Sequence, residues 1–441
     1  PMGDITNWTS EIVSPLDTYA YSYWSSFATR AWRKQLGDSY KEFLEDKSTR
    51  KSMVYVGAND GMLHGFETSK LTSGGREQFA FIPSESRKNL AALLDPGYAH
   101  RYYVDGNLTS ADVPFTATGD WRSVLIGAMG AGGRSVFALD VSNPSGFDAD
   151  DVLWELSGAS VPDVGYVMGK PVVVPIKGST GAPRWVAMFG NGANSDSGAP
   201  VLFVVDIKTG EVLAQLKPSD SAYATRNGLM NIAPVSLLNN DGMVDTVYGG
   251  DLQGNLWKFD LSEASPDDWE VAFSGAPLFT AVANNVAQPI TGGIEVSSGP
   301  GGGVSIFFGT GRYFAVGDEV VGANPPVQSL YGIWDNLSTS RVASRSELVE
   351  QTISNGTPSA GYQTRNVSNN PVNYGEKRGW FIDLKVGNLN KGERFIGTPR
   401  IQNGLVIFTT YEPGDATCSP GGVRRCRQRG HLPRRRLRPG G

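Results

Sequence analysis

The chain has 441 residues, too many for one small core, and fits either two or three ordinary domains or a single large repeat architecture. Its composition of 40% hydrophobic, 10% aromatic and 19% charged residues, with 55 Gly and 26 Pro, favours many short strands joined by turns over long exposed helices. The formal charge of −5 hides eight arginines between Arg424 and Arg438; without them the 39 basic residues become 31 against 44 acidic ones, about −13 over residues 1–423, which excludes nucleic acid as a partner of the body because phosphate binding needs a positive face.

No stretch approaches the roughly 20 apolar residues that span a bilayer, and no charged-then-apolar leader opens the chain at Pro1. The expectation is a soluble chain whose signal sequence lies upstream. The two cysteines, Cys418 and Cys426, stand near the end, so the body neither relies on disulfides nor carries a cysteine metal framework.

The first 50 residues read as a lead-in. Trp32–Lys47 has helix-forming composition, with Leu36, Tyr40, Phe43 and Leu44 spaced by three and four on one face, and this amphipathic helix is expected to pack against the first blade of the repeat region. From Met53 onward one unit recurs: a β-branched or aromatic run meets Gly, a polar turn comes next, and a second apolar run closes on an acid. The copies span Val54–Glu67, Val124–Asp140, Val186–Asp206 and Val247–Asp260, with a looser pair in Val304–Phe314 and Ser329–Asp335. Each reads as a β-hairpin with Gly, Asn or Asp placed where positive φ is needed.

The closing acids are 73, 66, 54 and 75 residues apart, room for a four-stranded blade of about 45 residues plus insertions. Gly379–Leu384 and Gly404–Tyr411 read as one further blade. Such units bury both sheet faces only when packed radially, so the predicted fold class is all-β: a β-propeller over residues 51–415, preceded by the helical lead-in (1–50) and followed by a basic tail (416–441) that lacks strand periodicity and reads as disordered. One or two β-sandwiches are the alternative architecture.

Several chemistries find no support. His64, His100 and His431 show no HExxH or paired spacing and read as satisfied or exposed. No G-x-S-x-G elbow occurs, and the glycine runs at 127–133 and 299–303 neither end in Gly-Lys-Ser/Thr nor open a helix, so they read as hairpin turns. Trp257, Trp334 and Trp380 fall on predicted strands as core or packing residues.

Val54–Glu67, Gly130–Pro144, Val164–Val174, Phe189–Gly210 and Val247–Leu261, taken together and in order, resemble the C-terminal domain of PilY-type type IV pilus proteins over roughly residues 50–410. The resemblance implies a modified propeller of seven blades, the last left incomplete by the arginine-rich tail. It also implies a non-enzymatic, calcium-dependent control of pilus extension and retraction. The place implied is the pilus tip or outer surface, with pilins or minor pilins and a host-cell or surface receptor as partners. Two rival functions are a quinoprotein dehydrogenase using pyrroloquinoline quinone with calcium, which shares the Val54–Phe66 hairpin, and a purely adhesive, lectin-like propeller. The first lacks its adjacent cysteines, its haem motif and its repeated Trp signature.

The metal candidate is the loop from Leu237 to Asp245. Calcium takes six to eight oxygen ligands, and an Asx-rich loop with a sharp Gly turn can supply them. Asn239, Asp241 and Asp245 stand at loop positions 3, 5 and 9, Gly242 at 6, and the Met243 carbonyl at 7. Position 1 is Leu237 and no Glu stands near position 12; Asn240, through a register shift, or Asp251, from the next turn, are the additional ligands. An Asx turn ahead of a strand is the alternative reading of the same residues.

Overall fold

The computed structural model describes residues 4–5, 10–19, 21–23, 31–68, 74–237, 241–359 and 362–414, and the backbone of 424–430. These residues divide into two compact units, one of residues 1–229, 238–246 and 260–270, the other of residues 230–237, 247–259 and 271–441.

The first unit holds three four-stranded antiparallel sheets. In the first, β1 (Glu11–Val13) lies beside β2 (Met53–Gly57), β3 (Leu63–Glu67) and β4 (Glu77–Phe81). The second contains β5 (Leu108–Pro114), β6 (Trp121–Ala128), β7 (Ser135–Asp140) and β8 (Val152–Ser157), and the third contains β9 (Val172–Lys177), β10 (Pro183–Gly190), β11 (Leu202–Asp206) and β12 (Val212–Leu216). The inner strands β6, β7, β10 and β11 are buried almost throughout. Their near-continuous Val, Ile, Leu and Phe runs are what a strand covered on both faces requires.

A repeated device ends the third strand of these sheets. Asp140 accepts the amide of Ser142 (2.9 Å) and Asp206 that of Lys208 (3.0 Å), so one carboxylate oxygen closes an Asx turn just past the strand. The other oxygen takes a cross-strand arginine: Arg122 at 2.8 Å for Asp140 and Arg184 at 2.7 Å for Asp206. Glu67, one methylene longer, pairs instead with Lys51 at 3.1 Å.

Helix α1 (Ala31–Lys47) buries Leu36, Tyr40 and Phe43 as its periodicity predicts. It packs away from the first sheet, however: Tyr40 lies 4.6 Å from the Trp121 ring of β6, and the cluster that receives it draws on the second and third sheets, including Trp185 of β10. Trp121, Trp185 and Tyr21 gather there into one aromatic surface, and the rings of Tyr40 and Phe43 pack on it. Lys47 ends the helix and is buried with Asp112 of β5, Nζ to carboxylate 2.7 Å, at 3% and 1% side-chain exposure. The same carboxylate accepts from the Tyr40 hydroxyl (2.8 Å) and from Ser123 (2.8 Å), and Lys47 also donates to the Asp17 carbonyl (2.9 Å).

The second unit is less regular. Most of one sheet, β13 (Leu229–Val235), β14 (Thr246–Asp251), β15 (Asn255–Asp260) and β16 (Glu270–Val271), belongs to it, and β17 (Phe279–Thr280) also pairs with β15. A two-stranded ribbon, β18 (Val282–Ala283) and β19 (Val286–Ala287), comes next. The next sheet has six strands in the order β20 (Glu295–Ser298), β21 (Val304–Gly309), β22 (Ser329–Asp335), β25 (Gly379–Val386), β23 (Val349–Asn355) and β24 (Arg365–Val367), with β23 parallel to β25. Arg345 clamps β22 to β25, pairing with Asp383 at 2.9 Å and donating to Ser329 at 2.6 Å.

The last sheet is β26 (Arg400–Gln402), β27 (Leu405–Glu412) and β28 (Arg424–Gly430). Gly379–Leu384 and Gly404–Tyr411 therefore do not form one blade: the first is interior to the six-stranded sheet, between β22 and β23, and the second pairs with β26 and β28. The arginine-rich segment expected to lack structure supplies β28, whose residues 424–430 run antiparallel to β27 with Arg424 opposite Glu412. Ladder hydrogen bonds are made by the backbone and need no side-chain alternation. The remaining tail residues lie outside the described ones.

Within the second unit a loop after β21 is held by one carboxylate. Asp318 accepts Arg312 Nε (3.0 and 3.1 Å) and the amides of Phe314 (3.0 Å) and Ala315 (2.9 Å). Burial alone would raise its pKa, but Arg312 and the two amides outweigh it and hold the carboxyl below the ordinary carboxylate value.

Both carboxylates can be tested. Lys47→Met leaves the Asp112 carboxylate buried without its cation and is expected to cost about 3–5 kcal/mol in urea unfolding, whereas Lys47→Met with Asp112→Asn recovers most of that loss. For Asp318, whose folded pKa is depressed, the stabilisation is present above the unfolded value near 4 and is lost as pH falls through the lower folded one; hydrogen exchange at Phe314 and Ala315, corrected for intrinsic rate, should be flat from about pH 8 to 5 and lose protection below about 4, and Asp318→Asn should abolish that pH response.

Candidate metal centre

The loop residues that can be placed form a tight turn. Asp241 Oδ1 accepts the amide of Met243 at 3.0 Å, and Gly242 between them has φ +78°, a conformation open to glycine and strained for most other residues. The chain then runs through Val244, whose amide donates to the Pro175 carbonyl at 2.8 Å, so the turn is pinned to the end of β9. Asp245 is 8% exposed; its carboxylate accepts the Thr246 hydroxyl at 2.9 Å, and its carbonyl accepts the amide of Leu261 at 2.8 Å.

Met243 is buried. Two carboxylates two residues to either side of its carbonyl are a hard, all-oxygen set of the kind calcium takes. Asp241, Asp245 and the Met243 carbonyl are the described oxygens of this turn that could serve as ligands. Asn239 and Asn240 lie outside the described residues. Among the described residues no three His, Cys, Asp or Glu side chains gather as a metal group, and Asp241 and Asp245 are joined by no third carboxylate.

Two of the expected positions do other work. Leu237 packs against the apolar cluster of the second unit that contains Tyr248 and Leu256, so a residue type unable to coordinate through its side chain is retained for its contacts. Asp251 is fully buried at the end of β14 and organises its own hairpin: Oδ1 accepts the amides of Gln253 (2.9 Å) and Asn255 (2.8 Å), while Oδ2 accepts Asn255 Nδ2 and Trp257 Nε1, each at 2.8 Å. Four donors occupy the carboxylate's lone pairs, and the Asp-x-x-Gly-Asn-x-Trp spacing that builds this knot was readable in the sequence as a turn signal.

The other singled-out residues are structural. His64 is buried between Glu77 (Nδ1, 2.6 Å) and Asp60 (Nε2, 3.0 Å), and His100 is half-exposed beside Asp4. Residue 431 lies outside the described residues. Trp257 and Trp380 are buried as expected; Trp334 is half-buried and donates to the Gly302 carbonyl at 2.8 Å, stapling the glycine-rich turn between β20 and β21.

The family model of the PilY1 beta-propeller domain matches residues 3–363. The chain belongs to the PilY1 β-propeller family. A type IV pilus biogenesis factor PilY1 homolog of Xylella fastidiosa (strain Temecula1) is 42% identical over 441 residues, an alignment covering 96% of this chain and 28% of that protein. Type IV pilus biogenesis factor PilY1 of Pseudomonas aeruginosa (strain PAO1) is 36% identical over 420 residues, 87% of this chain and 35% of its own length. The chain thus spans about a third of these PilY1 relatives. The crystal structure of the Pseudomonas aeruginosa PilY1 C-terminal domain superposes with a TM-score of 0.72 at 34% identity, over 86% of this chain and 80% of that one.

Asp251 and Asp241 can be told apart by experiment. Asp251→Ala, which strips four buried donors of their acceptor, should lower the unfolding midpoint equally in calcium and in EGTA, whereas Asp241→Ala should lower it in calcium with a much smaller change in EGTA; circular dichroism melts in the two buffers measure both.

Proposed function

We propose that this chain is a non-enzymatic, calcium-binding module of a type IV pilus factor, one that regulates pilus extension and retraction and hence twitching motility, and that contributes to surface adhesion. Its place is the cell surface, at the pilus tip and the outer membrane. Its partners are pilins or minor pilins and a host-cell or surface receptor. The relatives' designation as type IV pilus biogenesis factors supports the pilus context, and no helix among the described residues is long and apolar enough to cross a membrane.

The observation that supports calcium is the tight turn hinged at Gly242, in which Asp241 and Asp245 flank the buried Met243. Three protein oxygens with Leu237 in the first loop position give a ligand-poor site, of the weaker class used by extracellular modules. Calcium acts as a switch only by binding one loop conformation better than another, since equal affinity shifts no population. The turn's attachment to β9 through Val244 offers a route by which occupancy of the loop reaches a sheet.

Isothermal titration of calcium into the chain is expected to show one site of millimolar affinity or better, weakened about tenfold or more by Asp245→Asn and by Asp241→Ala. No heat of binding in the parent chain, or equal affinity in a folded Asp241→Ala variant, would remove calcium from this reading.

A further inference from the structure

In the second unit a cavity of about 90 Å³ opens beside the end of β23, the start of β24 and the end of β25, under the segment that follows β25. Its size limits what can enter. A cavity of roughly 150 Å³ takes benzene, so about 90 Å³ has room for about four heavy atoms, a carboxylate and the carbon that bears it.

The charges around it do not balance. Arg365, Lys385 and Lys391 line the cavity against one carboxylate, Glu393. That carboxylate is 4% exposed and accepts from Arg365 at 2.6 Å and from the Thr410 hydroxyl at 2.5 Å, which fixes the guanidinium on the wall. Lys391, half-exposed, lies 3.3 Å from Glu412, where solvent screening leaves the pair weak. Lys385, half-buried, pairs with no described carboxylate. Three cations against two engaged carboxylates make the cavity positive, and such a concave site draws an anion.

The rest of the wall is apolar. Leu384 is buried, Val386 half-buried, and Leu389 at the mouth keeps 59% exposure. Leu389 is set there by a tight turn: Val386 and Leu389 exchange both amide-to-carbonyl hydrogen bonds at 3.0 Å around Gly387, φ +56°. Water can fill the cavity but neither covers Leu389 nor supplies the negative charge that Lys385 lacks. Sulfate or phosphate would answer the charge and waste the aliphatic wall; a neutral aliphatic group would do the reverse.

We propose that this cavity binds a carboxylate carried on a short aliphatic group of the size of propionate, with the carboxylate toward Lys385, Lys391 and Arg365 and the carbons against Leu384 and Leu389. A free short-chain acid and the C-terminal alanine of a peptide present this same group. The site shares no residue with the calcium loop and does not depend on the calcium reading.

The probe is sodium propionate, titrated into the whole chain at ionic strength held constant with chloride and followed by saturation transfer to its methyl group in NMR. Binding should saturate in the millimolar range, as befits so small a ligand. Propionamide, the same shape without the charge, should bind about tenfold more weakly or less. Lys385→Gln with Lys391→Gln should weaken propionate about tenfold or more, and Leu389→Ser about fourfold, the worth of one covered methylene; circular dichroism melts matching the parent show that these surface variants are folded. Acetyl-Gly-Ala with a free carboxylate reports the source: tighter binding than propionate assigns the site to a chain end, weaker binding to a free acid, and both uphold it. No saturable transfer from propionate, equal binding of propionamide, or full affinity in the folded double-lysine variant would each overturn the proposal.

Discussion

A carboxylate that accepts the amide two residues ahead of it recurs wherever a closing aspartate ends the second strand of a sequence repeat. Asp140, Asp206, Asp260 and Asp335 all make this contact, at 2.9 to 3.0 Å. Turning the backbone sharply at that point lets a strand buried on both faces stop without leaving amides unpaired in the interior. Where the remaining oxygen takes a basic side chain from the neighbouring strand, as Asp140 takes Arg122 at 2.8 Å, the turn and the strand pairing are held by the same group; Asp335 instead takes Lys258 of another sheet at 2.8 Å. Aspartate is required rather than glutamate because only the shorter side chain reaches back to its own backbone.

This is why the hairpins were legible in the sequence and the longer-range pairings were not. Gly, Asx and a closing acid are local signals, and the strands they bracket, from Met53–Gly57 to Asn255–Asp260, lie within a few residues of the expected copies. The helix was equally plain in its periodicity, but its docking site was not: Trp121 and Trp185 are brought together by sheet packing that no local pattern encodes. Gly379–Leu384 illustrates the same limit. Its apolar run is a sound strand signal, while its partner is decided by the insertion of β23 and by the Arg345 clamp, both remote in sequence.

The metal loop divides along the same line. Its Asx-Gly turn is a two-residue affair and was visible; that Asp251 is consumed by Asn255 and Trp257 depends on how one hairpin folds over its own carboxylate.

The parallel alignment of β23 with β25 bears on how the chain acquires its structure. Every sheet of the first unit is made from consecutive strands, so each can close as soon as its last hairpin exists, with little loop entropy to overcome. The six-stranded sheet cannot: β22 waits for β25, and β23 must be parked until Trp380 arrives to lie beside Val349. The sheets of the first unit can therefore be closed while the six-stranded sheet still has an open edge, and that interval is when a foreign strand has its opportunity to pair.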